Sequence, residues 1–117
     1  MAAEKMRMVV AAEDFVAEVD VLLPGIRSAM AHAGDNLQRS AESALFNTAE
    51  GAGAYRPRVK IAAYEVAKKE AHEARAIIHL AVRRQVIARE QAARAVNLAG
   101  ALIGMLTSAC KTLQSRT

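Results

Sequence analysis

The sequence contains few of the residues that end helices, cross-link chains or fill large cores. Its 117 residues include two prolines, six glycines, one cysteine, four aromatic side chains and no tryptophan. A single cysteine excludes an intrachain disulfide and indicates a reducing compartment. Alanine is abundant instead, with 27 copies, and it is the strongest helix former. We therefore predict one all-helical domain, residues 1–117, in which small residues let helices approach closely.

The apolar runs of the sequence match neither a secretion signal nor a membrane span. The short apolar run at residues 8–12 is ended by Glu13 and Asp14, which does not fit a secretory signal. No wholly apolar stretch approaches the roughly 18 residues that cross a bilayer. These absences predict a cytoplasmic protein with no membrane partner.

Charge is divided between the two halves of the chain. Residues 1–54 carry four basic and eight acidic side chains, whereas residues 55–117 carry twelve basic and four acidic ones, and the whole chain is +4. Such a division fits a surface for nucleic acid or an acidic partner on the second half. It equally fits two halves that attract each other within the fold or across an interface.

Apolar residues at three- and four-residue spacing predict helices. Proline, glycine and capping residues indicate where these helices begin and end. Pro24 and Gly25 would end the first helix, and residues 26–34 are ambiguous. Asp35 with Gln38 resembles a capping box for the second helix. Gly51 and Gly53 would stop that helix. The predicted helices cover residues 4–22, 36–51, 57–84 and 88–114.

A polar ladder runs along the predicted second helix. Arg39, Ser43, Asn47 and Glu50 are spaced by four, four and three residues, so they share one face. Serine and asparagine disfavour helix interiors unless their side chains have partners. We interpret the ladder as a structural polar network in which Arg39 or another basic group pairs with Glu50 or Glu73. A binding groove is the alternative interpretation.

The same segment carries a resemblance to a known family. The pattern R-x-x-x-S-x-x-x-N-x-A-E-G, which ends here at Gly51, resembles the signature of bacterial rRNA intervening-sequence proteins. A looser likeness extends from Leu23 to Leu113, with Glu73 supplying the glutamate expected in the third helix. The sequence departs from that pattern at Asn36, where glutamine is usual, and at Lys69-Glu70, where Gly-Ser is usual.

This resemblance implies an up-down antiparallel four-helix bundle with a turn near residues 84–87. The family is similar in fold to the accessory variability protein of diversity-generating retroelements, a pentameric bundle that binds reverse transcriptase and nucleic acid. By the same likeness we expect a ring-shaped homo-oligomer of five subunits that acts as a scaffold. RNA, DNA or a reverse transcriptase would then be its partner.

The predicted fourth helix has no charged residue at the sixteen positions between Arg94 and Lys111. The water-facing flank of a bundle helix normally carries charges. We therefore predict oligomerisation through this helix, with Leu98, Leu102 and Leu106 in the interface.

Basic residues of the second half are candidates for binding phosphates. Lysine and arginine neutralise phosphates with release of counterions, largely without regard to base sequence. The scarcity of aromatic side chains argues against base-specific recognition of single strands. A solvated surface is the alternative for any one of these residues. The predicted nucleic-acid-binding residues are Arg56, Arg58, Lys60, Arg83, Arg84 and Arg89.

Nothing in the sequence points to catalysis, a cofactor or a metal. No glutamate is followed three residues later by histidine, as a di-metal bundle site requires. Cys110 lies in an apolar stretch, and the glycines at 51 and 53 match no phosphate-binding loop. We expect a non-catalytic oligomeric bundle that binds nucleic acid or a nucleoprotein partner. The alternative is an adaptor that binds another protein and has no nucleic-acid role.

Overall fold

The computed structural model describes residues 2–116, which form four α-helices and no strand. The molecule is elongated, with principal dimensions of 45 × 23 × 18 Å. The prediction of an all-α protein of four helices is confirmed. The helices are α1 (Ala2–Ala29), α2 (Ala31–Gly53), α3 (Pro57–Arg83) and α4 (Arg89–Gln114).

Contacts between the helices show that neighbours run antiparallel. Arg39 in α2 meets Glu73 in α3, whereas Gly51, later in α2, lies against Tyr64, earlier in α3. The connections are short, with only Met30 between α1 and α2 and residues 54–56 between α2 and α3. Short connections place consecutive helices side by side, and α4 closes the bundle by packing against both α3 and α1.

The core consists of two clusters at different heights in the bundle. The cluster nearer the α3–α4 turn is built around Phe15, Ile26 and Ile78. The second cluster surrounds Tyr64 and Leu102. Alanines line the faces between these large side chains and permit close helix packing, as the composition predicted. The buried alanines include Ala41, Ala44, Ala67, Ala71, Ala74, Ala95 and Ala99.

The first helix is longer than predicted, because α1 continues through Pro24 and Gly25 to Ala29. Pro24 lies on the exposed side of the helix, while Leu23 and Ile26 are buried beneath it. Burial of each large apolar side chain contributes roughly 1.5–3 kcal/mol of stability. This gain can offset the backbone hydrogen bond that proline removes from the helix. The residues left ambiguous by the sequence, 26–34, are helical except at Met30.

The predicted break at Gly34-Asp35 is also absent, since both residues lie inside α2. A Cβ atom at Gly34 would lie 2.9 Å from the Cα atom of Arg27, so glycine here permits α1 and α2 to approach closely. Asp35 is not a cap, because its Oδ1 accepts a hydrogen bond from Arg27 Nε at 3.2 Å. Gln38 Oε1 accepts from Arg27 Nη2 at 2.6 Å. The supposed capping residues therefore hold the α1–α2 corner.

The turn between α3 and α4 lies at residues 84–88, close to the position that the family resemblance implies. Gln85 has a φ of 60°, a left-handed conformation that non-glycine residues rarely adopt. The buried side chain of Ile87 anchors the turn in the core, and the backbone N–H of Ala88 donates to Gln91 Oε1 at 2.8 Å. Neither glycine nor proline is needed to reverse the chain.

Among the helices described, α4 alone is long and apolar enough to cross a membrane by length and composition, which differs from our expectation. Core helices of bundles can meet the same criteria. Its buried positions recur every three or four residues and face the rest of the bundle, mainly α3 and α1. They are Ala92, Ala95, Ala99, Leu102, Leu106 and Cys110.

Candidate interaction surfaces

Arg39 connects α2 to two carboxylates of α3. Its Nη1 donates to Glu70 Oε2 at 2.7 Å, and its Nη2 donates to Glu73 Oε2 at 2.5 Å. The hydrogen bond to Glu70, with the negative charges of both carboxylates, raises the pKa of Arg39. The Glu70 side chain is 10% exposed and that of Glu73 is 43% exposed. The structure thus brings Arg39 and Glu73 together and adds Glu70, which sequence reasoning did not assign to the network.

The rest of the ladder does not reach α3. Asn47 Nδ2 donates to the Ser43 carbonyl at 2.9 Å and to Ser43 Oγ at 3.1 Å, so both residues bond within α2. Glu50 is exposed and makes no hydrogen bond or ion pair with the residues that the structure describes. The predicted single network is therefore two separate sets of contacts, and Glu50 belongs to neither.

Gly51 ends the signature and packs against an aromatic ring. A Cβ atom at this position would lie 2.5 Å from Tyr64 Cε1 and 2.6 Å from Tyr64 Cδ1. Such distances are far shorter than the 3.5–4.0 Å optimum between carbon atoms. Of the two glycines predicted to stop α2, Gly53 is its last residue, whereas Gly51 lies inside the helix and admits the Tyr64 ring close to the helix backbone.

Exposed apolar side chains lie beside the ladder on the outer sides of α2 and α3. Phe46 is 63% exposed, Val59 is 53% exposed and Val66 is 39% exposed. Asn47 borders both the depression beside Phe46 and the adjoining groove that contains Val59 and Val66. We call the surface formed by Phe46, Val59, Val66 and the bordering Asn47 the α2–α3 patch.

Lys60 does not belong to a phosphate-binding surface. Lys60 is only 7% exposed, and its Nζ donates hydrogen bonds to the carbonyl oxygens of Gly51 at 2.9 Å and Ala52 at 3.1 Å. Burial, together with the neighbouring ammonium of Lys5, lowers the pKa of Lys60. The prediction that Lys60 contacts nucleic acid is wrong, because this ammonium caps the last carbonyls of α2.

The other predicted basic residues do not form one surface. Arg56 and Arg58 lie where α3 begins, whereas Arg83, Arg84 and Arg89 lie where α3 ends and α4 begins. The length of α3, about 40 Å at 1.5 Å per residue, separates the two groups. All five side chains are exposed and form no ion pair with any residue in the described span. We call Arg83, Arg84 and Arg89 the turn arginines.

A groove of about 600 Å³ lies between α3 and α4 beside the turn arginines. Its floor and walls are aliphatic, and its rim is basic and polar. We call it the α3–α4 groove. The lining residues are His79, Val82, Arg83, Arg89, Ala92, Ala93, Val96 and Asn97.

Two of the predicted interface leucines cannot meet another subunit. Leu102 and Leu106 are fully buried in the core of their own bundle, and Leu98 is half-buried against the other core cluster. The charge-free run has a different outer face, where Ala101, Gly104 and Ser108 are exposed. Assignment of Leu102 and Leu106 to an oligomer interface is therefore wrong.

The other groups considered for chemistry are the Cys110 thiol and the side chains that could ligate a metal. Cys110 is buried, and burial raises the pKa of its thiol to about 11, which keeps it protonated at neutral pH. Within residues 2–116, no three histidine, cysteine, aspartate or glutamate side chains cluster closely enough to hold a metal.

Comparisons with known proteins agree with the fold. The family described as 23S rRNA-intervening sequence protein matches residues 4–108. A protein of unknown function from the S23 ribosomal protein family of Bacteroides thetaiotaomicron VPI-5482 superposes with a TM-score of 0.84 at 22% identity, covering 92% of this chain and 98% of that one. A search of curated proteins found no match.

Proposed function

Since this chain belongs to the 23S rRNA-intervening sequence protein family, we propose that it is a non-catalytic cytoplasmic bundle that binds RNA through the turn arginines. The observation that carries the proposal is three exposed guanidinium groups at one end of the bundle with no acidic partner among the described residues. Guanidinium binds phosphate oxygens in a bidentate manner, and cations already held in ion pairs would not be free to do so.

Two other arginines provide a contrast within the same molecule. Arg39 and Arg94 are held by carboxylates, at 2.7 Å from Glu70 and 3.2 Å from Glu18. Arg56 and Arg58, at the opposite end, offer a smaller second site. DNA, or a nucleoprotein such as a reverse transcriptase complex, presents the same phosphates and is the wider class of partner.

The double substitution Arg83→Glu with Arg84→Glu is expected to lower RNA affinity at least tenfold. Each bound phosphate adds to the salt dependence, so the slope of log affinity against log salt should also decrease, by roughly one for each phosphate that the variant no longer binds. Fluorescence anisotropy with two unrelated RNAs at low and moderate salt would measure both effects. Affinity for the two RNAs should fall equally, because phosphate contacts carry no base information.

The matched control is Arg56→Glu with Arg58→Glu, which makes the same charge change at the other end. It should have the smaller effect. Equal losses from both pairs would indicate only a response to net charge, and undetectable RNA binding by the unaltered protein at low salt would remove the proposal.

We further propose that the protein is a homo-oligomer, with a five-membered ring as the form that the resemblance favours, and that the outer face of α4 supplies the contact. Ala101, Gly104 and Ser108 present no charge and little side-chain bulk there. Apart from the adjoining residues and nearby backbone of α4 itself, no atom of the described subunit lies within 4 Å of a Cβ placed at Gly104, so another helix could approach this point closely. A ring would repeat the turn arginines and strengthen RNA binding through multiple contacts.

Binding of another protein is a second candidate function, favoured by the α2–α3 patch. Phe46 is a large apolar side chain that is 63% exposed, and exposed apolar patches mark sites where proteins contact one another. In this alternative the protein is an adaptor without a nucleic-acid role. The patch and the turn arginines use different residues, so the two functions can be tested separately.

The substitution Phe46→Ser is expected to leave the fold intact and RNA binding unchanged while it weakens any self-association or partner binding that uses the patch. Sedimentation velocity and a thermal melt would report association and folding. Val21→Ser is the matched control, because Val21 is 70% exposed and lies on α1 outside the patch. If both variants self-associate to the same extent as the unaltered protein does, the patch has no role in self-association.

A further inference from the structure

We infer that the α3–α4 groove accommodates an unstacked base of a single-stranded nucleic acid while Arg83 and Arg89 bind its flanking phosphates. This inference rests on the proposed function and narrows it from nucleic acid in general to single strands. The supporting observation is one location that combines an aliphatic groove of about 600 Å³ with two exposed arginines that form no ion pair within the described part of the chain.

The groove has the size and composition of a small-molecule site. Ligand pockets typically span roughly 300–1,000 Å³ and combine an apolar lining with a few polar groups. Val82 and Val96 form aliphatic walls, while alanine at 92 and 93 leaves the space between the helices open. Ala92 is 2% exposed and forms the floor, whereas Ala93 lies at the opening. The flat face of a base can contact such walls.

The rim provides the polar groups that a nucleotide requires. His79 and Asn97 are exposed and line opposite helices of the groove. An imidazole or a guanidinium plane can stack on a base, and an amide side chain both donates and accepts hydrogen bonds at a base edge. Arg83 from α3 and Arg89 from α4 lie at the end nearer the turn, where they can meet the phosphates on either side of that base.

Duplexes cannot use the groove in this way. Their bases are stacked on both faces, and the major groove of A-form RNA is too narrow for side chains to enter. A duplex would therefore meet only the arginines. The scarcity of aromatic residues limits discrimination among bases. A base of any kind can nevertheless pack against the aliphatic walls without an aromatic side chain. We expect preference for single strands without preference for sequence.

The test compares single and double strands on a variant with the groove filled. Ala93→Leu places a larger side chain at an exposed helical position that suits leucine, so the fold should persist. Affinity for a fluorescein-labelled octauridylate and octaadenylate should fall at least about fivefold, which is the lower end of the loss caused by removing an aromatic stacking partner, because the walls here are aliphatic. Affinity for an RNA duplex should change less than about twofold. Ala17→Leu on α1, which makes the same change in side chain on another helix, is the control and should alter neither.

Adenosine monophosphate serves as a further probe that separates a free nucleotide from a strand. A strand is expected to bind at least about tenfold more tightly, because it offers several phosphates to the arginines. Tighter binding of the mononucleotide would overturn the assignment of a strand. Unchanged octanucleotide affinity in Ala93→Leu, or equal losses for single strand and duplex, would overturn the groove assignment. In those two cases the proposed function still stands if Arg83→Glu with Arg84→Glu weakens binding, whereas absence of all RNA binding at low salt refutes both.

Discussion

Replacement of Leu102 by glutamate is expected to unfold the protein rather than dissociate an assembly. Leu102 is fully buried in the core cluster around Tyr64. Truncation of a buried leucine alone costs about 2–5 kcal/mol, and an unpaired carboxylate in the same place adds a large desolvation penalty. Domains of this kind are stable by only about 5–15 kcal/mol. The far-ultraviolet circular dichroism of Leu102→Glu should therefore lose most of its helical signal.

Gly104→Leu is the matched variant, because it changes the outer face of the same helix two residues away. Gly104 is exposed, and no described atom beyond the adjoining part of α4 lies within 4 Å of an added Cβ. This variant should keep its helices, yet sedimentation should show a smaller particle if the outer face of α4 joins subunits. A folded, monomeric Leu102→Glu protein would contradict the position of Leu102 in the core. Sedimentation of the unaltered protein as a 12.5 kDa monomer at micromolar concentration would remove the oligomer proposal.

The second half of the fold follows closely from the sequence. Pro57 suits the first turn of a helix, and the apolar spacing continues from there to the end of α3. The predicted helices at 57–84 and 88–114 differ from the observed ones by one residue at α3's end and one at α4's start. The turn between them required the family resemblance, because Gln85 adopts its left-handed conformation without any local glycine.

The helix boundaries in the first half are less predictable from the sequence, because tertiary packing there keeps residues helical that normally break helices. Pro24, Gly25 and Gly34 are helix breakers by intrinsic preference, yet all three are helical. Burial of Ile26 holds the end of α1, and the approach of Arg27 to Gly34 gives that glycine a packing role. Neither contact can be inferred from the spacing of residues along the chain.

The candidate surfaces show the same limit. Charge patterns single out Arg39 and Lys60, but they do not reveal that Lys60 faces the carboxyl end of α2 instead of solvent. In the sequence Glu70 stands out only as a departure from the family pattern, and that departure supplies the more buried partner of Arg39. Similarly, a charge-free run indicates burial of α4 without distinguishing the core of one bundle from a contact between bundles.

Gly51→Ala is expected to destabilise the protein although alanine normally favours a helix. The added Cβ would lie 2.5 Å from the Tyr64 ring, and Tyr64 is itself 2% exposed, so the ring has little space into which to move. Overpacking typically costs about 1–3 kcal/mol, which exceeds the gain of up to about 1 kcal/mol from helix propensity. A net loss near 1–2 kcal/mol would lower the melting temperature by roughly 5–10 °C.

Gly53→Ala is the control for this substitution, because no described atom beyond the adjoining part of α2 lies within 4 Å of a Cβ added at Gly53. It should leave the melting temperature nearly unchanged. Combining Gly51→Ala with Tyr64→Leu relieves the clash, so the pair should be less destabilised than the sum of the two single changes. That non-additivity assigns the loss to the packing of Tyr64 on Gly51 rather than to α2 alone. A Gly51→Ala protein that melts at or above the temperature of the unaltered chain would show that the Tyr64 ring shifts freely, and the glycine would then have no packing role.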